Sequence, residues 1–220
     1  MVALPAAGAA LRRAGVPAGA PVPRRVRIRQ KGTMWQKPGG RGLPFTAVEE
    51  FAAEVVAFVW RARFPLVRVL DRYANEEGLL EVRLLGLVPV ARVRGPDVDE
   101  GEALRYLAEL PWVPYTMAAN RELEWRELAD RLVEVTTRVR SARAALRLEF
   151  DTAGDFVGVA ADARPRREGK QIVRRPWAGS FGDYAAVGGV RIPTSGEVRW
   201  DLPEGPFTYW RGTITALETG

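Results

Sequence analysis

The sequence contains no cysteine and no histidine. Without cysteine no disulfide can form, so the fold must be held by burial and hydrogen bonding alone. The two absences also exclude a Ser-His-Asp triad, a cysteine nucleophile and a zinc site with histidine or cysteine ligands built from this chain. We therefore expect no catalytic residue, metal site or cofactor. Carboxylates, Tyr, Lys, Ser, Thr and Arg leave other catalytic chemistry open, so the sequence leans away from an enzyme without excluding one.

Long apolar runs are also missing. No stretch reaches the roughly 18 apolar residues that span a bilayer as a helix. The alanine-rich start of the chain has no basic segment before it, and Arg12 and Arg13 follow it, which is not typical of a signal peptide. The sequence therefore predicts a cytoplasmic protein with no membrane span.

Lysine is scarce, and runs of like charge are absent. The net charge is +6 with a pI near 10.1, yet Lys31, Lys37 and Lys170 are the only lysines. Acidic and basic residues alternate along the chain, as in residues 121–127. The net charge fits an anionic partner such as nucleic acid or a lipid surface, whereas the alternation favours an ordinary solvated surface.

The composition is that of a globular protein: 220 residues, of which 47% are hydrophobic and 27% charged. This length suits one domain. Residues 1–24 are rich in alanine and proline, and we expect a helix over 3–14 followed by an extended lead-in. Residues 25–220 are expected to form the domain itself.

The pattern of the domain indicates a β-sheet. Residues 26–31 alternate apolar and polar side chains, and residues 66–73 and 79–87 flank a turn at 74–78, which predicts a hairpin. Further strands are predicted at 45–51, 57–64, 84–91 (buried), 122–127, 132–140, 143–150, 156–163, 171–184, 189–193, 195–201 and 207–217.

One helix is predicted within the domain, over 97–109, with Asp97 as its cap and a buried stripe of Leu104, Tyr106, Leu107 and Ala108. After Pro114 we expect only strands. The prediction is therefore an α+β fold with a single curved antiparallel β-sheet, a half-barrel of roughly nine to twelve strands, and a few covering helices.

Aromatic side chains are concentrated in the last predicted strands. Trp200 alternates with Val198 and Leu202, which places these three on one face. Along 207–217 the alternation puts Phe207 and Tyr209 on one face and Trp210 on the other. Large apolar groups on both faces indicate either a sheet covered on both sides or an apolar ligand cavity lined by aromatics.

One basic cluster stands out. Arg164, Arg166 and Arg167 are followed closely by residues 174–175, and the two arms of a hairpin would bring them together above Trp177. Arginines beside aromatics suit a carboxylate, phosphate or sulfate group, and they also suit nucleic acid. A solvated loop with counter-charges explains the cluster equally well.

Glu109 ends the predicted helix just before an apolar segment, so we expect it to be half buried. A half-buried carboxylate needs a basic partner, and the candidates are Arg61, Arg63, Arg164 and Arg211. Acid–base catalysis would need a second carboxylate such as Asp183 in the same cavity, and the sequence does not bring the two together.

A set of motifs resembles a bacterial family of domains of unknown function. The motifs are 105–114 (RYLAELPWVP), 163–166 (ARPR), 176–184 (PWAGSFGDY), 191–200 (RIPTSGEVRW) and 207–212 (FTYWRG). They are specific as a set and extend over nearly the whole chain. The resemblance implies no reaction. The expected pattern of long strands and capping helices is also similar to the half-barrel of bacterial lipoprotein carriers such as LolA and LolB.

These observations favour a protein that binds an apolar or amphipathic anionic small molecule, lipid-like in character, in a concave sheet. The alternative is a protein that binds nucleic acid or an anionic surface. The predicted ligand-binding residues are Glu109, Arg164, Arg166, Trp177, Tyr184, Trp200, Tyr209, Trp210 and Arg211.

Overall fold

The computed structural model describes residues 13–16 and 21–220, and the described residues form a single antiparallel sheet of thirteen strands. The predicted helix over 3–14 lies outside the described residues, apart from its last two positions. The strands are β1 (Arg25–Met34), β2 (Leu43–Ala52), β3 (Phe58–Arg63), β4 (Val67–Ala74), β5 (Glu77–Leu84), β6 (Val88–Val93), β7 (Glu124–Ala129), β8 (Leu132–Val139), β9 (Ala142–Phe150), β10 (Phe156–Glu168), β11 (Gln171–Val187), β12 (Val190–Leu202) and β13 (Gly205–Thr219).

The sheet is open and strongly curved. Its order is β6-β5-β4-β3-β2-β1-β13-β12-β11-β10-β9-β8-β7, so each strand pairs with its neighbour in the chain except where β1 meets β13 at the centre. Strands of this length twist, and a sheet of thirteen strands therefore curls into a half-barrel. The predicted fold class is confirmed, with one strand more than the predicted range.

Two predicted strand assignments are wrong. Residues 189–193 and 195–201 form one strand, β12, because β11 pairs with it continuously from Val187 to Trp177. Residues 84–91 do not form a buried strand. Leu85 and Gly86 make a turn, and β6 is an exposed edge strand because no element of the described chain covers it.

The described residues contain two α-helices within the domain, α1 (Pro96–Ala108) and α2 (Pro114–Ala119), joined through a 3-10 turn at Leu110–Trp112. The predicted helix over 97–109 is confirmed, whereas α2 replaces a predicted return to strands. None of the described helices has the length and apolar character needed to cross a membrane.

Asp97 does not cap α1. Gly95 precedes the helix with a φ of 119°, and Pro96 supplies the first turn with a preset φ. Asp99 is the acidic residue with a structural role: it accepts hydrogen bonds from the Gly78 backbone N–H at 2.7 Å and from Arg140 Nε at 2.6 Å. The start of α1 is thereby fixed to hairpins from both halves of the sheet.

The core lies between α1 and the concave face of the sheet. The predicted stripe of Leu104, Tyr106, Leu107 and Ala108 is buried. The helix contacts β4 and β5 on one side and β8, β9 and β10 on the other, so it bridges the concavity. A helix of 13 residues is only about 20 Å long at 1.5 Å per residue, and it leaves part of the concave face uncovered.

Candidate functional site

A cavity of about 360 Å³ occupies the part of the concave face that α1 leaves uncovered, and it is partly open to the outside. Most of its wall is apolar, and five tryptophans contribute to it. The apolar and aromatic lining residues are Met34, Trp35, Leu43, Trp60, Phe64, Val67, Val69, Leu80, Val82, Ala108, Trp112, Val159, Trp177, Phe181, Val198 and Trp210. The polar ones are Gln36, Asp71, Glu102, Arg105, Glu109, Arg164, Glu197 and Tyr209.

A β-bulge in β13 changes which side chains face the cavity. Val198 pairs with Trp210 and Arg199 pairs with Thr208, so Tyr209 is an extra residue with no partner on β12. The bulge reverses the alternation, and Phe207 and Trp210 therefore share the concave face. The prediction that they lie on opposite faces is wrong for this reason.

A row of glycines gives the indole rings room to lie against the sheet. Gly32, Gly212 and Gly196 are paired across β1, β13 and β12. A Cβ atom on Gly212 would lie 2.4 Å from the ring of Trp210, and one on Gly196 would lie 2.8 Å from the ring of Trp112. Both tryptophans line the cavity, so these glycines set the shape of its floor.

Arg164 is a buried cation on the cavity wall. It lies on β10, is 9% exposed, and its Nη2 donates a hydrogen bond to the Gly101 carbonyl oxygen at 3.0 Å. Its guanidinium carbon is 4.7 Å from the ring centroid of Trp177 and 5.8 Å from that of Trp200. Within the described chain it forms no ion pair, so most of its five N–H donors are left for a ligand.

A second polar group surrounds Arg105 of α1. Its guanidinium donates to Glu109 Oε1 at 3.0 Å, to Asp71 Oδ2 at 2.6 Å and to Glu49 Oε1 at 3.1 Å. It also lies 4.7 Å from the ring centroid of Trp60. Glu109 thus has an arginine partner, but it is Arg105, one helical turn away, and none of the predicted candidates.

This group, the Arg105 cluster, holds more acid than base. Glu102 completes it, so Arg105 lies among four carboxyl groups, Glu49, Asp71, Glu102 and Glu109, and Arg164 is close enough to act on Glu102 as well. Gln30 Nε2 donates to Glu49 at 2.9 Å and its amide oxygen accepts from Trp60 Nε1 at 2.8 Å, which ties the cluster to the sheet. Buried charge of one sign is costly, and protonation is the usual way to relieve it.

Burial raises the pKa of Glu49 well above its usual range, and the charge on Glu109 raises it further, although Arg105 opposes the shift. Burial likewise raises the pKa of Glu102, and the charge on Asp71 adds to it. Glu49 thus lies beside Glu109, and Glu102 beside Asp71. Buried oxygens of Asp71, Glu102 and Glu109 have no hydrogen-bond partner within the described chain.

The acidic groups do not form a metal centre: no group of three or more Asp or Glu side chains in the described residues has the geometry to hold a metal ion. Trp112 Nε1 is a further buried donor without a partner. The polar end of the cavity is therefore made of Arg164, the Arg105 cluster and the Trp112 indole.

The predicted site residues divide into two groups. Those that line the cavity are Glu109, Arg164, Trp177, Tyr209 and Trp210. Trp177 Nε1 donates to Tyr209 Oη at 3.0 Å, and Trp200 stacks on Tyr209 just outside the lining.

The other predicted residues do not line the cavity. Arg166 is paired with Glu168, and Arg211 is paired with the lining residue Glu197 and lies over the ring of Trp35 at the edge of the cavity. Tyr184 donates to the Phe156 carbonyl at 2.9 Å, away from the cavity.

Sequence reasoning missed Asp71, Glu102, Arg105 and Trp112. A signal for two of them was present: residues 102, 105 and 109 recur at helical spacing and form a polar stripe beside the apolar one. Asp71 and Trp112 carry no comparable signal, because the sheet register and the turn after α1 bring them to the cavity.

Comparisons with known proteins bear on the family and the fold. A family model described as a family of unknown function (DUF6544) matches residues 3–212. No curated protein matches the chain.

Three solved structures are similar over 97% of this chain. A DUF1329 family protein from Desulfovibrio piger ATCC 29098 has 9% identity and a TM-score of 0.50, with 91% of its own chain covered. A LolA superfamily protein from Nitrosomonas europaea has 9% identity, 93% coverage and a TM-score of 0.48. A putative outer membrane lipoprotein-sorting protein domain from Vibrio parahaemolyticus has 10% identity, 91% coverage and a TM-score of 0.49. At such identities the likeness concerns the fold.

Proposed function

We propose that this protein, which belongs to the DUF6544 family, binds an apolar or amphipathic small molecule with an anionic head group in the cavity between α1 and the sheet. The observation that carries the proposal is Arg164. A buried guanidinium that forms no direct ion pair within the described chain is costly, and an anionic ligand would provide a paired charge and accept its free N–H donors.

The rest of the cavity supports an apolar ligand body. Its volume of about 360 Å³ is within the range of small-molecule sites, and its wall is dominated by tryptophan and aliphatic side chains. Empty apolar volume of this size is unfavourable for packing, so a ligand that fills it gains contacts the empty protein lacks. The polar groups are few and lie together near α1, which suits a molecule with one polar end.

The alternative partner, nucleic acid, receives less support from the basic cluster. Arg166 and Arg175 both pair with Glu168, and Arg174 pairs with Glu100. Arginines held by carboxylates offer little net positive charge to a phosphate backbone. Binding to DNA or RNA with a steep dependence on salt concentration would reverse this preference.

Native mass spectrometry and solvent extraction of freshly purified protein test whether an apolar compound accompanies it. Fluorescence titration then tests the head group, because the tryptophans in the cavity wall report on occupancy. We expect dodecanoate to bind more tightly than dodecanol, since both have the same chain and only the former has an anionic head.

The decisive variant is Arg164→Met, which keeps an unbranched apolar stem and removes the charge and the N–H donors. We expect it to weaken dodecanoate binding by about tenfold or more, the worth of a charge-assisted hydrogen bond, and to leave dodecanol binding nearly unchanged. Arg166→Met is the matched control: this arginine also lies over Trp200, at 5.5 Å, but it is paired with Glu168 and does not line the cavity. Equal loss in both variants would contradict the role of Arg164, and an empty protein that binds neither probe would contradict the function.

A further inference from the structure

Two turns at one end of the sheet expose large apolar side chains to solvent. We call this surface the apolar tip and define it as Leu66, Leu85, Leu87 and Val88. Their exposed fractions are 65%, 66%, 78% and 57%, which is unusual for a group of neighbours. The Leu85 backbone N–H donates to the Leu66 carbonyl at 2.7 Å, so the two turns form one surface.

The backbone of the tip holds one of its leucines in an unfavourable conformation. Leu85 has a φ of 51° and Gly86 one of 78°, and Leu87 N–H donates to the Leu84 carbonyl. This hairpin turn favours Asn, Asp or Gly at its first central position, because other side chains are strained there. The corresponding turn between β4 and β5 has Asn75 and Glu76. A strained and fully exposed leucine in this place indicates a role outside the fold.

The loops and strand ends around the tip carry basic side chains and no acidic ones. The three segments 35–42, 63–68 and 83–91 lie at the same end of the sheet, and none contains Asp or Glu. They carry five cationic residues, which we call the basic collar: Lys37, Arg41, Arg63, Arg68 and Arg83. All five are exposed, and only Arg83 forms an ion pair, with Glu81, within the described chain.

We propose that the apolar tip and the basic collar dock this protein on an anionic lipid surface. Exposed leucines flanked by arginine and lysine suit the boundary between acyl chains and negatively charged headgroups. Pairing of the β6 edge with another strand fits less well, because Pro89 in the middle of β6 has no N–H to donate.

The tip also adjoins the mouth of the cavity. Phe64, Val67 and Val82 line the cavity and lie within three residues of the tip, and Trp35 in the segment 35–42 lines it as well. A docked protein would therefore have the cavity open near the lipid, where apolar compounds reside. The docking surface itself does not depend on what the cavity binds, and the two proposals can fail separately.

The test is flotation of the full chain with vesicles of phosphatidylcholine alone and of phosphatidylcholine with phosphatidylglycerol. We expect binding to the anionic vesicles that weakens at high salt. The double variant Leu85→Asn/Leu87→Ser is expected to lower the partition coefficient at least about tenfold, because it removes two inserting side chains. Asparagine tolerates the positive φ, so this variant should fold at least as well as the parent.

Val55→Asn is the matched control, since Val55 is 45% exposed but lies in the turn at the opposite end of the sheet. It should bind anionic vesicles like the parent. The proposal is overturned if the parent does not bind anionic vesicles or if it binds vesicles with and without phosphatidylglycerol equally. It is also overturned if the double variant binds anionic vesicles as well as the parent does. If the parent protein is a dimer and the double variant is a monomer, the apolar tip binds a second copy of the chain and not a lipid surface. Fluorescence titration of the double variant with dodecanoate in solution should be unchanged, which separates docking from the cavity.

Discussion

At the scale of single residues, Arg105 and its carboxyl partners make the most consequential contacts. Among the described residues, Arg105 is the only cation that forms ion pairs with Glu49, Asp71 and Glu109, and it lies against the rings of Phe58 and Trp60. Although burial opposes its charge, the surrounding carboxylates raise the pKa of Arg105 above its usual value. A buried cluster of this kind contributes less to stability than to a defined arrangement of the cavity end of α1.

Glu102 is a member of the cluster whose charged form is disfavoured by burial, although Arg105 and Arg164 both oppose the effect. Its pKa is raised in the folded state, so the folded protein retains a proton that the unfolded chain releases above the ordinary Glu value of 4.5. The contribution of Glu102 to the free energy of unfolding therefore falls as pH rises from 4.5 through the folded pKa.

We predict that Glu102→Gln is more stable than the parent at pH 8 and that the difference shrinks toward pH 4. Glutamine keeps the shape of the side chain, carries no charge at either pH, and its amide N–H can donate to Asp71. The parent loses stability as pH rises through the raised pKa of Glu102, so the advantage of the variant should grow from pH 4 to pH 8. Urea denaturation at several pH values measures it.

Glu100→Gln is the control on the same helix. Glu100 pairs with Arg174 at the surface, and its loss should change stability by less than about 1 kcal/mol at either pH. A variant Glu102→Gln that is less stable than the parent at pH 8 would contradict the raised pKa.

At the scale of elements, the glycine row across β1, β13 and β12 determines what the sheet can carry on its concave face. Strands normally place a Cβ at every position, and a Cβ at Gly32 would lie 2.1 Å from the Arg211 carbonyl oxygen. Because these positions lack a Cβ, the strands and the indoles approach more closely than side chains permit. The cavity floor is thus a property of paired strands and not of any one of them.

Gly212→Ala tests this element. The added methyl would meet the Trp210 ring at 2.4 Å, so we expect the indole to move, the tryptophan fluorescence and near-UV circular dichroism to change, and stability to fall by about 1–3 kcal/mol. Gly101→Ala in α1 is the control, because nothing lies within 4 Å of its added methyl and alanine favours a helix. A near-UV spectrum unchanged by Gly212→Ala would show that Trp210 does not depend on the glycine.

At the scale of the whole molecule, α1 holds an open sheet in its curved form. The edges β6 and β7 are at opposite ends of the strand order, so no ladder of hydrogen bonds closes the half-barrel. Asp99, which is 1% exposed, instead accepts hydrogen bonds from Gly78 at the start of β5 and from Arg140 in the β8–β9 turn. Through Asp99, α1 therefore connects the two arms of the curved sheet across its concave face.

Asp99→Ala is therefore expected to be strongly destabilising, by about 3–5 kcal/mol, since it leaves a buried N–H and a guanidinium without their acceptor. The measurement is urea denaturation, with dodecanoate affinity as a readout of cavity shape. Asp97→Ala is the control: it lies two residues earlier in α1 and does not cap the helix, so its cost should stay within about 0.5 kcal/mol. If Asp97→Ala lowered the free energy of unfolding as much as Asp99→Ala does, Asp97 would have the capping role that the sequence predicts.

The sequence alone determined the antiparallel sheet, the helix α1 and the excluded chemistry, because these depend on local information. Short segments of the sequence are enough to show alternation with a period of two and turn residues at regular intervals. The absence of cysteine and histidine follows from composition alone. The resemblance to a bacterial family of unknown function was drawn from short motifs, and the family model that matches residues 3–212 confirms a family of this kind.

Only the tertiary structure decided which side chains meet at the cavity. Five predicted site residues line it, but Arg105, Asp71 and Glu102 join them through sheet register and helix docking, which link positions distant in sequence. The bulge at Tyr209 reverses a face that alternation alone assigns wrongly. Arg166 and Arg211 form ion pairs with Glu168 and Glu197, whereas Arg164 forms none in the described chain and lines the cavity. These differences depend on which charges are close in three dimensions and not on spacing along the chain.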